Sequence, residues 1–231
     1  MKYPLATSSW GNEEKEAAKS VIDSGNCTMG LITKRFEEEF AKKMGSKYAV
    51  FCNSGSSANL LAVAAFFFRK NGLSLKSGDT VIVPAVSWST TYYPLQQYGL
   101  KLKFVDVNLY DFNISIEDIK KYITPDVKAI IAVNILGMPC DFDALKTICD
   151  ENKLILIEDN CESLSATYTT KINNQFITKQ CGTFGDIGTT SLFYSHHMNS
   201  VEGGVCMTSD KELFEILICL RAHRMAKKSS R

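Results

Sequence analysis

From residue 48 onward, short runs of near-continuous apolar residues alternate with segments of helical period. Residues 48–52, 80–84, 103–107, 129–134 and 154–158 read as strands, and 58–69, 90–98, 116–122 and 142–150 as the helices between them. Runs such as AIIAV and LILIE are apolar at successive positions rather than at alternate ones, which a strand needs only when both faces of its sheet are covered. The pattern predicts an α/β fold with a mostly parallel sheet. Before it, 12–24 predicts a helix with Asn12 as N-cap, acids in the first turn, Ala17, Val21 and Ile22 on one face, and Gly25 at its end. A second helix, about 33–43, spaces Phe36 and Phe40 four residues apart and is closed by Gly45. The polar stretch 169–181 carries little pattern and reads as an extended loop or a hairpin. A last strand, 205–208, leads to Asp210 as the cap of a helix ending around His223.

Composition narrows the class. With 231 residues, 45% of them hydrophobic, the chain is long enough to bury a sizeable core as one domain or one with a small appendage. Lys and Arg number 26 against 25 Asp and Glu, and both signs are spread along the chain, so no electrostatic footprint for nucleic acid or an anionic membrane is present. The basic end, residues 221–231, reads as a solvated terminus. The eight cysteines include no C-x-x-C pair or metal-like spacing, and several sit in apolar runs, so they are expected reduced and no metal site is expected. MKYPLATSSW lacks the apolar core of a signal peptide, and the longest apolar run, 60–68, is too short to span a bilayer, which leads to the expectation of a soluble cytoplasmic protein.

Four stretches could carry chemistry. In NSGSSANL, residues 53–60, a strand gives way to a helix, and Gly55, Ser56 and Ser57 would let the backbone approach a phosphate, although Ser and Gly there are also ordinary capping residues. Neither GKS/GKT nor G-x-G-x-x-G is found in this turn. In PAVSWSTT, Trp88 follows a strand and the break at Pro84, where it would either lie flat on an aromatic ligand or be a core tryptophan. In LILIEDNCESLSA, Asp159 stands directly after a buried strand, at the sheet end where ligands bind in open α/β folds, with Glu158 and Glu162 beside it. In GTFGDIGTTSLFYSHHMNSVEGG, glycines lead into a strand, Ser191 offers a hydroxyl beside aromatics, and His196 follows five residues later. Taken alone, His196 and His197 would read as a surface or structural pair.

In this order the four stretches resemble the sugar aminotransferases that act on nucleotide-linked deoxysugars, the DegT/DnrJ/EryC1/StrS type, which are fold-type I enzymes using pyridoxal phosphate. The resemblance runs from Leu5 to about Met225. It implies a three-layer fold-type I aminotransferase large domain, with an N-terminal helical segment at 1–45 and the cofactor-binding large domain at 46–231. The family continues into a smaller C-terminal domain that these 231 residues lack. The resemblance assigns Gly55, Ser56, Ser57 and Ser191 to the cofactor phosphate, Trp88 to the ring face and Asp159 to the protonated pyridine nitrogen. Glu162 falls near the ring hydroxyl or the bound sugar. RAHRM is similar to the family's R-x-H-G, with Arg224 where glycine is usual.

Most of the family has a lysine at the position of His196 and holds its cofactor there as a Schiff base, which an imidazole cannot form. A small branch shares the histidine: 3-dehydratases of 4-keto-6-deoxy sugars attached to CDP or GDP, whose version SHHMNSVEGG resembles. The implied activity is a 3-dehydration that uses pyridoxal and pyridoxamine phosphate, with His196 as general base at the cofactor C4′. The implied partners are a nucleotide-sugar substrate, an amino donor such as glutamate and, in the full-length family, a second subunit; the setting is deoxysugar or O-antigen synthesis. One subgroup binds an iron–sulfur cluster through a C-x-C pair, and residues 220–231 contain none, which points to the cluster-free type. Two alternatives stand beside this reading: an ordinary glutamate-dependent sugar aminotransferase, and a non-catalytic homologue of a longer protein.

Overall fold

A computed structural model describes residue 7 and residues 9–222. The expectations for His223, Arg224 and the basic end beyond Ala222 lie outside the described residues, as do residues 1–6 and 8. Seven strands form one sheet in the order β1-β9-β8-β5-β4-β2-β3. They are β1 (Tyr48–Cys52), β2 (Thr80–Pro84), β3 (Lys101–Val105), β4 (Val127–Val133), β5 (Ile155–Asp159), β8 (Ile187–Ser191) and β9 (Gly204–Thr208). Only β9 runs against its neighbours β1 and β8, while β5–β8, β4–β5, β2–β4 and β2–β3 pair in parallel. The chain is therefore α/β with a mostly parallel sheet.

Both faces of the sheet are covered, as its unbroken apolar runs require. Val81, Val83, Ala129, Ile131, Ile155 and Ile157 point to one side, into a core shared with α3 (Gly55–Phe68), α4 (Ser89–Gln97) and α7 (Lys211–Ala222). The intervening Ile82, Ile130, Ala132 and Leu156 point to the other, against α5 (Ile116–Tyr122) and α6 (Phe142–Asn152). On that side α2 (Leu31–Met44) covers β1 and β9 through Phe40, Ala41 and Met44. Each such large side chain, fully buried, contributes roughly 1.5–3 kcal/mol. Helix α3 is apolar around most of its circumference because it lies between the sheet and two other helices, and Ala58, Ala62 and Ala65 are small enough to let it sit close.

Several expectations are corrected. Helix α1 (Asn12–Asp23) is capped by Gly11, whose amide donates to the Glu14 carboxylate at 2.7 Å, so Asn12 is its first helical residue. It buries none of its residues, and Ile22 is 68% exposed. Strand β3 starts two residues earlier than the pattern suggests, at Lys101. Residues 169–181 are largely a hairpin, β6 (Thr167–Ile172) with β7 (Gln175–Gln180), turning on Asn173 and Asn174, both at positive φ.

Strand β1 forms one edge of the sheet, and the outward groups of Phe51 are occupied. The Phe51 amide donates to Glu37 of α2 at 2.8 Å, while Arg221 of α7 donates to the Phe51 carbonyl at 2.9 Å and pairs with Glu37. Among the described residues no helix is long and apolar enough to cross a membrane, and no group of three or more His, Cys, Asp or Glu could hold a metal ion.

Candidate functional site

The loops that follow β1, β2, β4, β5 and β8 meet at the carboxyl end of the parallel strands, and the residues singled out above come from them, from the strand ends before them or from the helix starts they feed. Ser54, in extended conformation, is the N-cap of α3. Its Oγ accepts from the Ser57 amide at 3.1 Å and its carbonyl from the Ala58 amide at 3.0 Å. The Gly55 and Ser56 amides are left without a partner among the described residues, at the positive end of the helix dipole. Gly55 is pressed against Ser191: a Cβ there would lie 2.6 Å from the Ser191 Cβ and 3.1 Å from the Cys161 Sγ. Ser191 is the last residue of β8 and only 6% exposed, and its Oγ accepts from the Phe193 amide at 3.2 Å. Two free amides and the Ser191 hydroxyl thus form a cradle that could hold an anion. Ser56 is exposed at its rim, and Ser57 is partly committed to the cap through its amide and a 3.1 Å contact with the Ser54 hydroxyl.

Asp159 ends β5 and is buried. Its Oδ2 accepts from Asn59 Nδ2 at 2.8 Å and from Thr91 Oγ1 at 2.8 Å, and its Oδ1 from the Cys161 amide at 3.2 Å. Behind these, Thr189 Oγ1 donates to Asn59 Oδ1 at 2.6 Å, and Ser87 Oγ lies 2.8 Å from Thr91 Oγ1. No Lys or Arg takes part, so three neutral donors hold an acidic side chain whose Oδ1 has acceptor capacity left for one more donor. That donor set suits a cationic ring N–H. Asn59, Thr91 and Thr189 are site residues that motif reading missed. The one available signal was Asn59, a polar residue inside an otherwise apolar helix, which must have a partner.

Trp88 is the N-cap of α4 and 73% exposed, so it is not a core tryptophan. Its carbonyl accepts the Thr91 amide at 3.0 Å, which puts it in the same helical turn as a donor to Asp159. Glu162 is half-buried, and its Oε2 accepts from the Leu136 amide at 3.1 Å in the turn after β4. His196 is half-buried in the loop after β8, its amide donating to the Phe193 carbonyl at 3.0 Å. Burial lowers its pKa below the ordinary imidazole value; Glu162 and Asp159 pull it back up and His197 pushes it further down. At neutral pH the ring is a neutral base with carboxylates nearby, and His197 is exposed. Glu158 belongs elsewhere. It is fully buried and accepts from the amides of Gly182, Phe184 and Gly185 at 2.6, 2.6 and 2.5 Å, so it fixes the lead into β8, with burial raising its pKa against those donors.

Residues 8–231 match the DegT/DnrJ/EryC1/StrS aminotransferase family. The chain is 52% identical over 223 residues to GDP-4-keto-6-deoxy-D-mannose 3-dehydratase of Escherichia coli O55:H7, covering 96% of this chain and 55% of the relative. It is 50% identical to the enzyme of the same name from Yersinia pseudotuberculosis, covering 96% and 54%. The crystal structure of the E. coli GDP-4-keto-6-deoxy-D-mannose-3-dehydratase with bound hydrated PLP superposes with a TM-score of 0.87 at 52% identity, over 96% of this chain and 55% of that one. The chain thus spans about half the length of the relatives it matches.

Proposed function

This chain belongs to the DegT/DnrJ/EryC1/StrS aminotransferase family, and on that premise we propose that it serves the 3-dehydration of a nucleotide-linked 4-keto-6-deoxyhexose, GDP-linked as in the names of its relatives, with pyridoxal and pyridoxamine phosphate as cofactor. When bound, the cofactor supplies an amine and an electron sink. Gly55, Ser56, Ser57 and Ser191 would hold its phosphate through backbone amides and hydroxyls, and Trp88 would cover the ring. Asp159 would keep the ring nitrogen protonated. Glu162 would face the ring hydroxyl or the sugar. His196 would take and return the proton at C4′, and deliver a proton to the C3 hydroxyl that leaves the sugar as water. An amino donor such as glutamate and a second subunit complete the proposal.

What supports this reading is the imidazole of His196, half-buried with its pKa lowered by burial, at the position where the resemblance puts a lysine in transaminating members of the family. A base of this kind moves protons in both directions near neutral pH without capturing the cofactor covalently. The test is to add pyridoxal phosphate, follow the absorption spectrum as glutamate is titrated in, then reduce with borohydride and map peptides. The expected outcome is a bound chromophore that glutamate bleaches, with no lysine adduct in the unaltered chain and an adduct at the new side chain of His196→Lys. A reducible lysine adduct in the unaltered chain would overturn the dehydratase reading in favour of transamination.

A further inference from the structure

The two anchoring points described above, the anion cradle and the Asp159 carboxylate, are joined by one helix face. Gly55 and Asn59 lie four residues apart on α3, hence on the same side and one turn apart. Gly55 lines the cradle against Ser191, the last residue of β8, and Asn59 takes Thr189, two residues earlier on the same strand. Asn59 is 6% exposed and Thr189 fully buried, so neither exchanges its partner for water. The proton inventory then has one solution. Thr189 has a single hydroxyl proton, and the 2.6 Å contact commits it to Asn59 Oδ1 rather than to the Glu158 carbonyl at 3.3 Å. That fixes the amide orientation and turns Nδ2 to Asp159 at 2.8 Å. Thr91 fills the other lone pair of Oδ2. Oδ2 accepts two donors and cannot carry a proton itself, which leaves the charge to be met at Oδ1.

We propose that Asn59 is a positioning residue that, oriented by Thr189, holds Asp159 as a carboxylate whose Oδ1, beside the Cys161 amide, keeps a lone pair for the ring N–H of the ligand, at a spacing from the phosphate cradle fixed by one turn of α3. This rests on the cofactor assignment made above, and the role is distinct from filling the core. A merely structural Asn59 would support every occupant of the site equally. A positioning Asn59 matters only to an occupant with a protonated ring nitrogen, because no other group of a ligand would use the lone pair that Oδ1 has left.

The experiment compares the full chain, Asn59→Leu and Thr189→Val for binding of pyridoxal phosphate and of its 1-deaza analogue, which carries C–H in place of the ring nitrogen. Thr189→Val keeps the shape of the strand residue, so it remains informative if Asn59→Leu does not fold. The unaltered chain is expected to bind pyridoxal phosphate about tenfold more tightly than the analogue, a charge-assisted hydrogen bond's worth. In both variants that preference should shrink to about twofold or less, while affinity for the analogue holds. The bound chromophore of the variants should also lose its ring proton at lower pH. A preference unchanged in the variants, or an equal loss of affinity for both ligands, overturns the positioning role while leaving the cofactor assignment intact. Failure of the unaltered chain to bind pyridoxal phosphate overturns both.

Discussion

At the scale of single residues, the proposed chemistry rests on one imidazole and the carboxylates whose field it feels. Burial lowers the pKa of His196 and Glu162 partly offsets this, so Glu162→Gln should move the His196 titration to still lower pH. The chain has three histidines, so imidazole NMR can follow each; a midpoint that stays or rises in the variant would contradict the assigned field. Another local constraint is steric. A Cβ on Gly204 would lie 2.1 Å from the Ser54 carbonyl oxygen, the atom that receives the first helical amide of α3. Gly204→Ala should therefore cost about 3 kcal/mol in denaturant unfolding and weaken anion binding at the cradle, since the carbonyl has to move with the helix start. Part of what gathers at this end of the sheet was legible in the sequence: Asp159 closing its strand, the small residues that open α3, and Ser191 at the end of β8. Their supporters were not. Asn59 and Asp159 are separated by 100 positions, and Thr189 and Asn59 by 130, so only the fold brings them together.

At the scale of elements, the sequence was a sound guide where burial on both faces made the apolar run unambiguous. Strands β1 and β2 begin and end where the pattern puts them, at Tyr48–Cys52 and Thr80–Pro84. An amphipathic period says less. Ala17, Val21 and Ile22 of α1 define a face, but nothing among the described residues buries it, because periodicity says which side would be buried and not whether a partner exists. Residues 169–181 read as a loop or a hairpin because the strands of the β6–β7 hairpin are polar; the cue that favours the hairpin is Asn173-Asn174, a pair able to take positive φ at both central positions of a two-residue turn. The clasp on β1 makes a prediction at this scale. Glu37 and Arg221 are 13% and 12% exposed, and losing one partner strands a nearly buried charge. Arg221→Ala should cost about 3 kcal/mol of unfolding free energy, and the double variant Glu37→Gln, Arg221→Met should recover part of it. If the double variant is as unstable as the single one, the charge pair is not the source of the loss.

For the whole molecule, three layers enclose most of the thiols. Cys52, Cys140, Cys149, Cys181 and Cys206 are buried and Cys27 is exposed, all of them free. Burial pushes Cys52 up to about 11, and Cys149 and Cys181 up to about 12, so thiolate is scarce there at neutral pH. A disulfide-exchange reagent should modify Cys27 at once and these five only on unfolding. Simultaneous reaction of all of them under native conditions would show that the layers do not close. The strand order carries a different lesson, about time. Among the described strands the first, β1, pairs only with the last, β9, and its outer side waits for Arg221. During vectorial translation this edge therefore stays unpaired while some 150 further residues emerge, a closure that non-local topology makes slow. Nascent chains arrested before Gly204 should be cleaved readily by protease around β1, and those arrested well past Arg221 should resist it, so the sheet would be sealed late, through β1, once the stretch from Gly204 to Arg221 has emerged.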